Sequence, residues 1–139
     1  MGKVFLFVII LLIIPIRVLA VSSTLGFINQ VRIAHHLVPL VWNNALQRSA
    51  LDKACDLFNR HYWSHQTPDG RMPWYLFIKD GYRYIYAGEN MARGYATNQD
   101  AFNAWMKSPS HLANILNPHY RDFGEGACGN ILVDHFGSR

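Results

Sequence analysis

The sequence predicts a single α+β domain behind an export leader, and three observations carry that prediction. Half of the 139 residues are apolar, enough for one ordinary core and too few residues for two. Apolar side chains recur at steps of three and four through most of the chain, as on one face of a helix. Near the C-terminus, two short glycine-bounded runs carrying the β-branched Ile131 and Val133 read instead as strands. Several helices over a few strands is an α+β arrangement.

The leader comes first. From Val4 to Ile16 every residue except Pro15 is a large aliphatic or Phe, with Lys3 before the run and Arg17 to Ala20 after it. A positive n-region, an apolar h-region and a small residue at the end are the parts of a signal peptide, so residues 1–20 are read as leader and 21–139 as the domain, with cleavage expected after Ala20. The competing reading is an uncleaved anchor, because residues 4–21 are just long enough to span a bilayer with Arg17 snorkelling to the interface. Either way the domain is expected outside the cytoplasm, secreted or anchored to the membrane. Thirteen Lys and Arg against nine acidic residues give +4, and setting aside Lys3 and Arg17 leaves the domain at +2. That weak charge, without a basic cluster, argues against nucleic acid as a partner.

Within the domain, Leu25, Ile28 and Val31 mark a first helix that stops before Pro39. Leu46, Ala50, Ala54, Leu57, Phe58 and His61 mark a second, expected over about 44–62. A turn at Pro68, Asp69 and Gly70 precedes a short helix over Trp74 to Ile78, which Gly81 closes. Tyr84 to Tyr86 is a candidate strand. Thr97 with Asp100 three residues on is a capping box opening a helix to about Lys107, and Ser110 to Leu116 forms another helical turn after Pro109. The strands Asp122 to Ala127 and Asn130 to Phe136 follow, joined by a tight turn at Cys128, Gly129 and Asn130.

Three residues in separate segments have the chemistry of a site: His65, Glu89 and His111. Imidazole titrates near neutral pH and offers a ring nitrogen, while a carboxylate supplies charge and oxygen, as an acid/base pair or a divalent-metal site requires. Spacing alone also allows each to be an ordinary surface or core polar residue. His61 and His65, four apart, would share a helix face, but Tyr62 stands where a metalloprotease helix carries Glu. Ser108 and His111 mimic part of a nucleophilic triad without a nucleophile elbow, so Ser108 reads as a helix-end hydroxyl. His35 and His36 read as a polar helix end. The aromatics Trp74, Tyr75, Tyr82, Tyr84 and Tyr86 are expected to pack under the loop rather than to form a sugar- or lipid-binding surface.

The order of several motifs resembles the CAP superfamily, and most closely its bacterial SCP-like extracellular domains. The motifs are Leu40-Val41-Trp42-Asn43, Trp63-Ser64-His65 with Pro68-Asp69-Gly70, Gly81-Tyr82, Ala87-Gly88-Glu89-Asn90, Trp105 through His111, Ala113-Asn114-Ile115-Leu116 and Phe136-Gly137. The resemblance implies a three-layer α-β-α sandwich with a cleft formed by His65, Glu89, Ser108 and His111. In some relatives such a cleft holds a divalent ion such as zinc, which places His65, Glu89 and His111 as the metal set. Many eukaryotic relatives have Glu at the position of Ser108, so a weakened metal site follows. Two functions fit the resemblance: a non-enzymatic module binding a ligand or protein partner at the cell surface, or a metal-dependent hydrolase of extracellular peptide or glycan.

Two further expectations concern departures from the family pattern. Glu125 stands between Gly124 and Gly126 where most relatives have Val or Ile, and it is expected in a solvent-facing turn. Cys55 and Cys128 are the only cysteines in an exported chain, which invites a bridge. Because one lies within a helix and the other after a strand, two reduced thiols are expected instead.

Overall fold

The computed structural model describes residues 23–139, so the leader, the site after Ala20 and the span 4–21 lie outside the described residues. The helices are α1 (Thr24–Ala34), α2 (Asn44–Asn59), α3 (Trp74–Lys79), α4 (Asn98–Met106) and α5 (Pro109–Ile115). The strands are β1 (Val41–Trp42), β2 (Tyr86–Arg93), β3 (Asp122–Cys128) and β4 (Ile131–Ser138), in sheet order β1-β3-β4-β2. β1 pairs parallel to β3, whereas β3 with β4 and β4 with β2 are antiparallel. Among the described residues no helix is long and apolar enough to cross a membrane.

Local chemistry sets the helix starts. Ser23, Asn43 and Thr97 are N-caps whose side-chain oxygens accept from amides of the first turn, and the Thr97 hydroxyl also donates to Asp100, 2.7 Å away. Pro109 opens α5 at a position where its missing N–H costs nothing.

The sheet separates two apolar layers because side chains alternate along each strand. On one face, α2 packs Ala50, Ala54 and Leu57 against Met91, Ile131 and Val133. On the other, Ile28 of α1, Phe102 and Trp105 of α4 and Ile115 of α5 bury Phe123, Leu132 and Phe136. The result is the expected three-layer α-β-α arrangement. α2 lies unusually close to β3: a Cβ on Gly124 would stand 2.2 Å from the amide nitrogen of Gln47, and one on Gly126 would stand 2.1 Å from that of Leu51. Only glycine permits that approach.

Two buried cations tie loops to this frame. The Arg32 guanidinium donates to the carbonyls of Ile115 and Asn117 at 2.8 and 2.9 Å and to those of Val38 and Tyr120, closing the C-terminal end of α5 onto α1. Burial, and then Arg121, lowers its pKa. The Lys53 ammonium donates to Tyr62 Oη and to the carbonyls of Ser64 and His65, at 3.1, 2.9 and 2.7 Å. α2 thereby holds the loop that carries His65.

Several expectations are corrected. α2 stops at Asn59, and His61 takes φ 53°, so His61 and His65 do not share a helix face. The strand sought at Tyr84 to Tyr86 begins at Tyr86 and runs to Arg93, while β1 is an addition of two residues. Tyr82 is buried, but Tyr84 and Tyr86 are exposed, and Tyr86 stacks on His119. The tight turn between β3 and β4 is as expected, with Gly129 at φ +58°. Glu125 is no turn residue: it lies within β3 opposite Asp134 of β4, on the face covered by α1 and α4. Cys55 and Cys128 are bridged, with Cα atoms 5.0 Å apart. The close approach permitted by Gly124 and Gly126 brings the helix within disulfide reach of the strand end.

Candidate functional site

β2 is an edge strand, and helices and loops close over its free side. Three outward carbonyls are occupied: Tyr120 Oη donates to Ala87, Asn114 Nδ2 to Glu89 and Trp105 Nε1 to Met91, at 3.1, 3.1 and 3.0 Å. These bonds cover an edge that would otherwise be open to pairing and seat α4 and α5 beside it. Asn90, fully buried on the opposite face from Glu89, donates to the His111 carbonyl and accepts from Asn114, fixing the start of α5.

Glu89 lies at the centre, its side chain 1% exposed. One oxygen accepts from His65 Nδ1 at 2.6 Å and the other from His135 Nε2 at 2.9 Å. His135 is itself fully buried, and its Nδ1 lies 2.7 Å from Ser49 Oγ of α2. Burial alone would raise the Glu89 carboxyl, but the hydrogen bonds from His135 and His65, and the charge of Lys53, hold it below the usual carboxylate range. It is therefore an anion at neutral pH with both oxygens engaged.

That arrangement fixes the histidine. With Nδ1 donating to Glu89, the ring of His65 is held with Nε2 on the far side from that bond, and its side chain is half exposed. His111 faces the same hollow, which measures about 360 Å³ and is also lined by Trp63, Ser64, Met91 and Ser110. Glu89, Trp74, Met72 and Asn114 line an adjoining hollow that His65 shares. Burial and then His65 lower the His111 pKa, which keeps its ring neutral. His111 Nδ1 lies 2.8 Å from Ser108 Oγ, and Ser108 makes no side-chain cap bond to α5. When Nδ1 is the donor in that pair, Nε2 of His111 is free as well.

His65 thus meets Glu89, Ser108 meets His111, and both imidazoles line one opening, while Ser108 lines neither hollow. Among the described residues the Ser108–His111 pair lacks the acid that would orient a catalytic imidazole, since Glu89 is engaged by His65 and His135. Among the described residues no three His, Cys, Asp or Glu side chains converge as a ready-made metal cage. The donors present nevertheless suit zinc in another way. Two imidazole Nε2 atoms would be available to a metal, one of them on a ring backed by a carboxylate at its other nitrogen, which is how metal-ligating histidines are commonly oriented. In that set Glu89 would orient His65 rather than ligate, and zinc, when bound, would supply a Lewis acid. His135, Ser49 and Lys53 were not anticipated. The one available signal for His135 is alternation, which puts it on the inward face with Val133.

A four-stranded sheet between α2 and the α1, α4, α5 layer, with a His/Glu cleft at the β2 edge, makes a three-layer α-β-α module. The chain belongs to the CAP family, the cysteine-rich secretory protein family, which it matches over residues 25–130. It is 37% identical over 110 residues to the Bacillus subtilis protein YkwD, an alignment covering 78% of this chain and 43% of that protein. It is 26% identical over 120 residues to the Bacillus subtilis membrane protein YlbC, covering 83% and 33%. The chain spans less than half the length of these curated relatives. Among solved structures, an extracellular SCP-domain protein of Bacillus anthracis superposes with TM-score 0.80 at 23% identity, covering 84% of this chain and 39% of that one. An outer surface protein of Borrelia burgdorferi gives 0.75 at 25% identity, covering 83% and 89%.

Proposed function

We propose that this is an extracytoplasmic binding module, secreted or membrane-tethered, that recognises its ligand or protein partner in the cleft between His65 and His111, whose rings would hold a divalent ion such as zinc. The observation that carries the reading is the Glu89 arrangement. A buried carboxylate with both oxygens engaged fixes one imidazole so that its free nitrogen faces the same hollow as a second imidazole. Relatives described as extracellular or outer-surface proteins support the location.

The two rings would hold the ion while water fills the remaining positions, leaving room for an oxygen or nitrogen donor from a ligand. With only two protein ligands, affinity should be weak. It should also fall below about pH 6, because protonated imidazole cannot ligate. Zinc calorimetry at pH 7.5 tests this: heat is expected with wild type and none with His65→Ala or His111→Ala. Absence of heat in wild type, or equal binding by either variant, refutes the metal-assisted reading.

A further inference from the structure

The opposite face of the sheet carries a feature unrelated to the cleft. Glu125 of β3 and Asp134 of β4 are directly paired across the strands, so their side chains leave the sheet on the same side. Asp134 is fully buried, and neither of its carboxylate oxygens has a donor. Glu125 Oε1 accepts from Asn98 Nδ2 at 2.9 Å, at the first residue of α4, while Oε2 is buried without a partner. The Thr24 hydroxyl, at the first residue of α1, is likewise buried and unpartnered. Three elements thus bring acceptors together with almost nothing to donate to them. Two ionised carboxylates side by side in such a place, one of them without any donor, would be very costly.

No cation relieves them among the described residues. On α1, Arg32 is committed to carbonyls at the other end of the helix. On α4, Asp100 is bound to Thr97 and adds no positive charge, and Lys107 lies past the far end of the helix. On β2, Asn90 is the cross-strand neighbour of Asp134 but gives its amide to His111, while Arg93 lies over Trp63. On α5, His111 is engaged with Ser108. On the two strands themselves, Asp122 is bound by Tyr82 and His135 points to the other face toward Glu89.

We infer that Glu125 and Asp134 hold one proton between them at neutral pH, as an acid pair that fastens the N-terminal ends of α1 and α4 to the sheet. A single proton on the pair gives one carboxyl a donor and the other a hydrogen bond, and the Thr24 hydroxyl hydrogen is the second donor within the cluster. Burial raises both groups above the usual carboxylate range, the charge of Glu125 raises Asp134 further, and hydrogen bonds with Thr24, Asp134 and Asn98 pull Glu125 partly back. The proton belongs to the pair rather than to either residue.

The native state keeps a proton that the unfolded chain releases above about pH 4, so stability falls as pH rises, up to the folded-state pKa of the pair, by at most about tenfold in the folding constant per pH unit. Above that pKa the pair would carry two charges and the clamp on α1 and α4 would fail. Alkali therefore acts as a release on this face.

The test compares thermal unfolding of the full-length chain in mild detergent between pH 5 and 9 for wild type, Asp134→Asn and Glu125→Gln. Each amide replaces the shared proton with a fixed donor. The wild-type midpoint is expected to fall across this range relative to both variants, whose profiles are flatter and which are the more stable forms at pH 9. Infrared spectra of wild type at pH 7 should show the carbonyl stretch of a protonated carboxyl, a signal that does not depend on either variant folding. Parallel slopes for wild type and folded variants would overturn the inference, as would absence of that stretch. So would a midpoint that drops with chelator and recovers with calcium, which would put a metal cation where the proton is placed.

Discussion

Removing the Cys55–Cys128 bridge should destabilise the domain through the unfolded chain more than through lost contacts. The bridge joins α2 to the end of β3 across 73 residues. A loop of that length has a closure entropy worth about 4 kcal/mol at room temperature. Cys128 also packs beside the α2 core cluster, so a double Cys55→Ser, Cys128→Ser variant adds a small packing loss. For a domain of this size the sum corresponds to a midpoint lowered by roughly 15–20 °C. The assay is thermal and urea unfolding of wild type and the double variant, with alkylation of the unfolded protein before and after reductant. Wild type should take up label only after reduction. If both thiols label without reductant, or if the variant unfolds within about 1 kcal/mol of wild type, the bridge and this account of it are wrong.

Other substitutions probe the frame and the cleft. Gly126→Ala should cost about 3 kcal/mol or more by chemical denaturation, because the added Cβ meets the α2 backbone and not a movable side chain. Lys53→Met should leave α2 folded but speed amide hydrogen exchange in the loop around Ser64 and His65. The loss is about 2 kcal/mol, since it leaves carbonyls there without their donor. In acid the cleft should weaken in two steps. His111, with its pKa lowered, loses its contribution as pH falls below the usual histidine range. Glu89, also lowered, loses its own as pH falls through its depressed folded-state value. Histidine ring titrations by NMR, compared between wild type and Glu89→Gln, separate the steps.

Much of the helical part of the fold was legible because the helices have a periodic face and two of them a marked start, at Thr97 and Pro109. β2 was not, because Ala87 to Ala92 is covered on both faces and so lacks the alternation of a half-exposed strand. The residues of the cleft could be named from motif order, but not the bonds that organise it. Glu89 is engaged from behind by His135, and only the β2–β4 register sets those two opposite each other. The same limit explains Glu125. A charge between two glycines reads as a turn until the register gives it Asp134 as a neighbour and α2 is found to need the glycines. The disulfide was misjudged for a related reason: the distance between a helix and a strand end depends on how closely they pack, which those glycines decide.

The central claim is that His65 and His111 present free Nε2 atoms to one opening while His135 is spent on Glu89. Long-range nitrogen–proton NMR of the imidazole rings, recorded at pH 7.5 with and without zinc, tests it most directly. The expected spectra show His65 protonated at Nδ1, and zinc shifting Nε2 of His65 and of His111 together while His135 stays unchanged. Zinc that leaves both cleft rings unmoved, or a His65 ring protonated at Nε2 instead, would contradict the account.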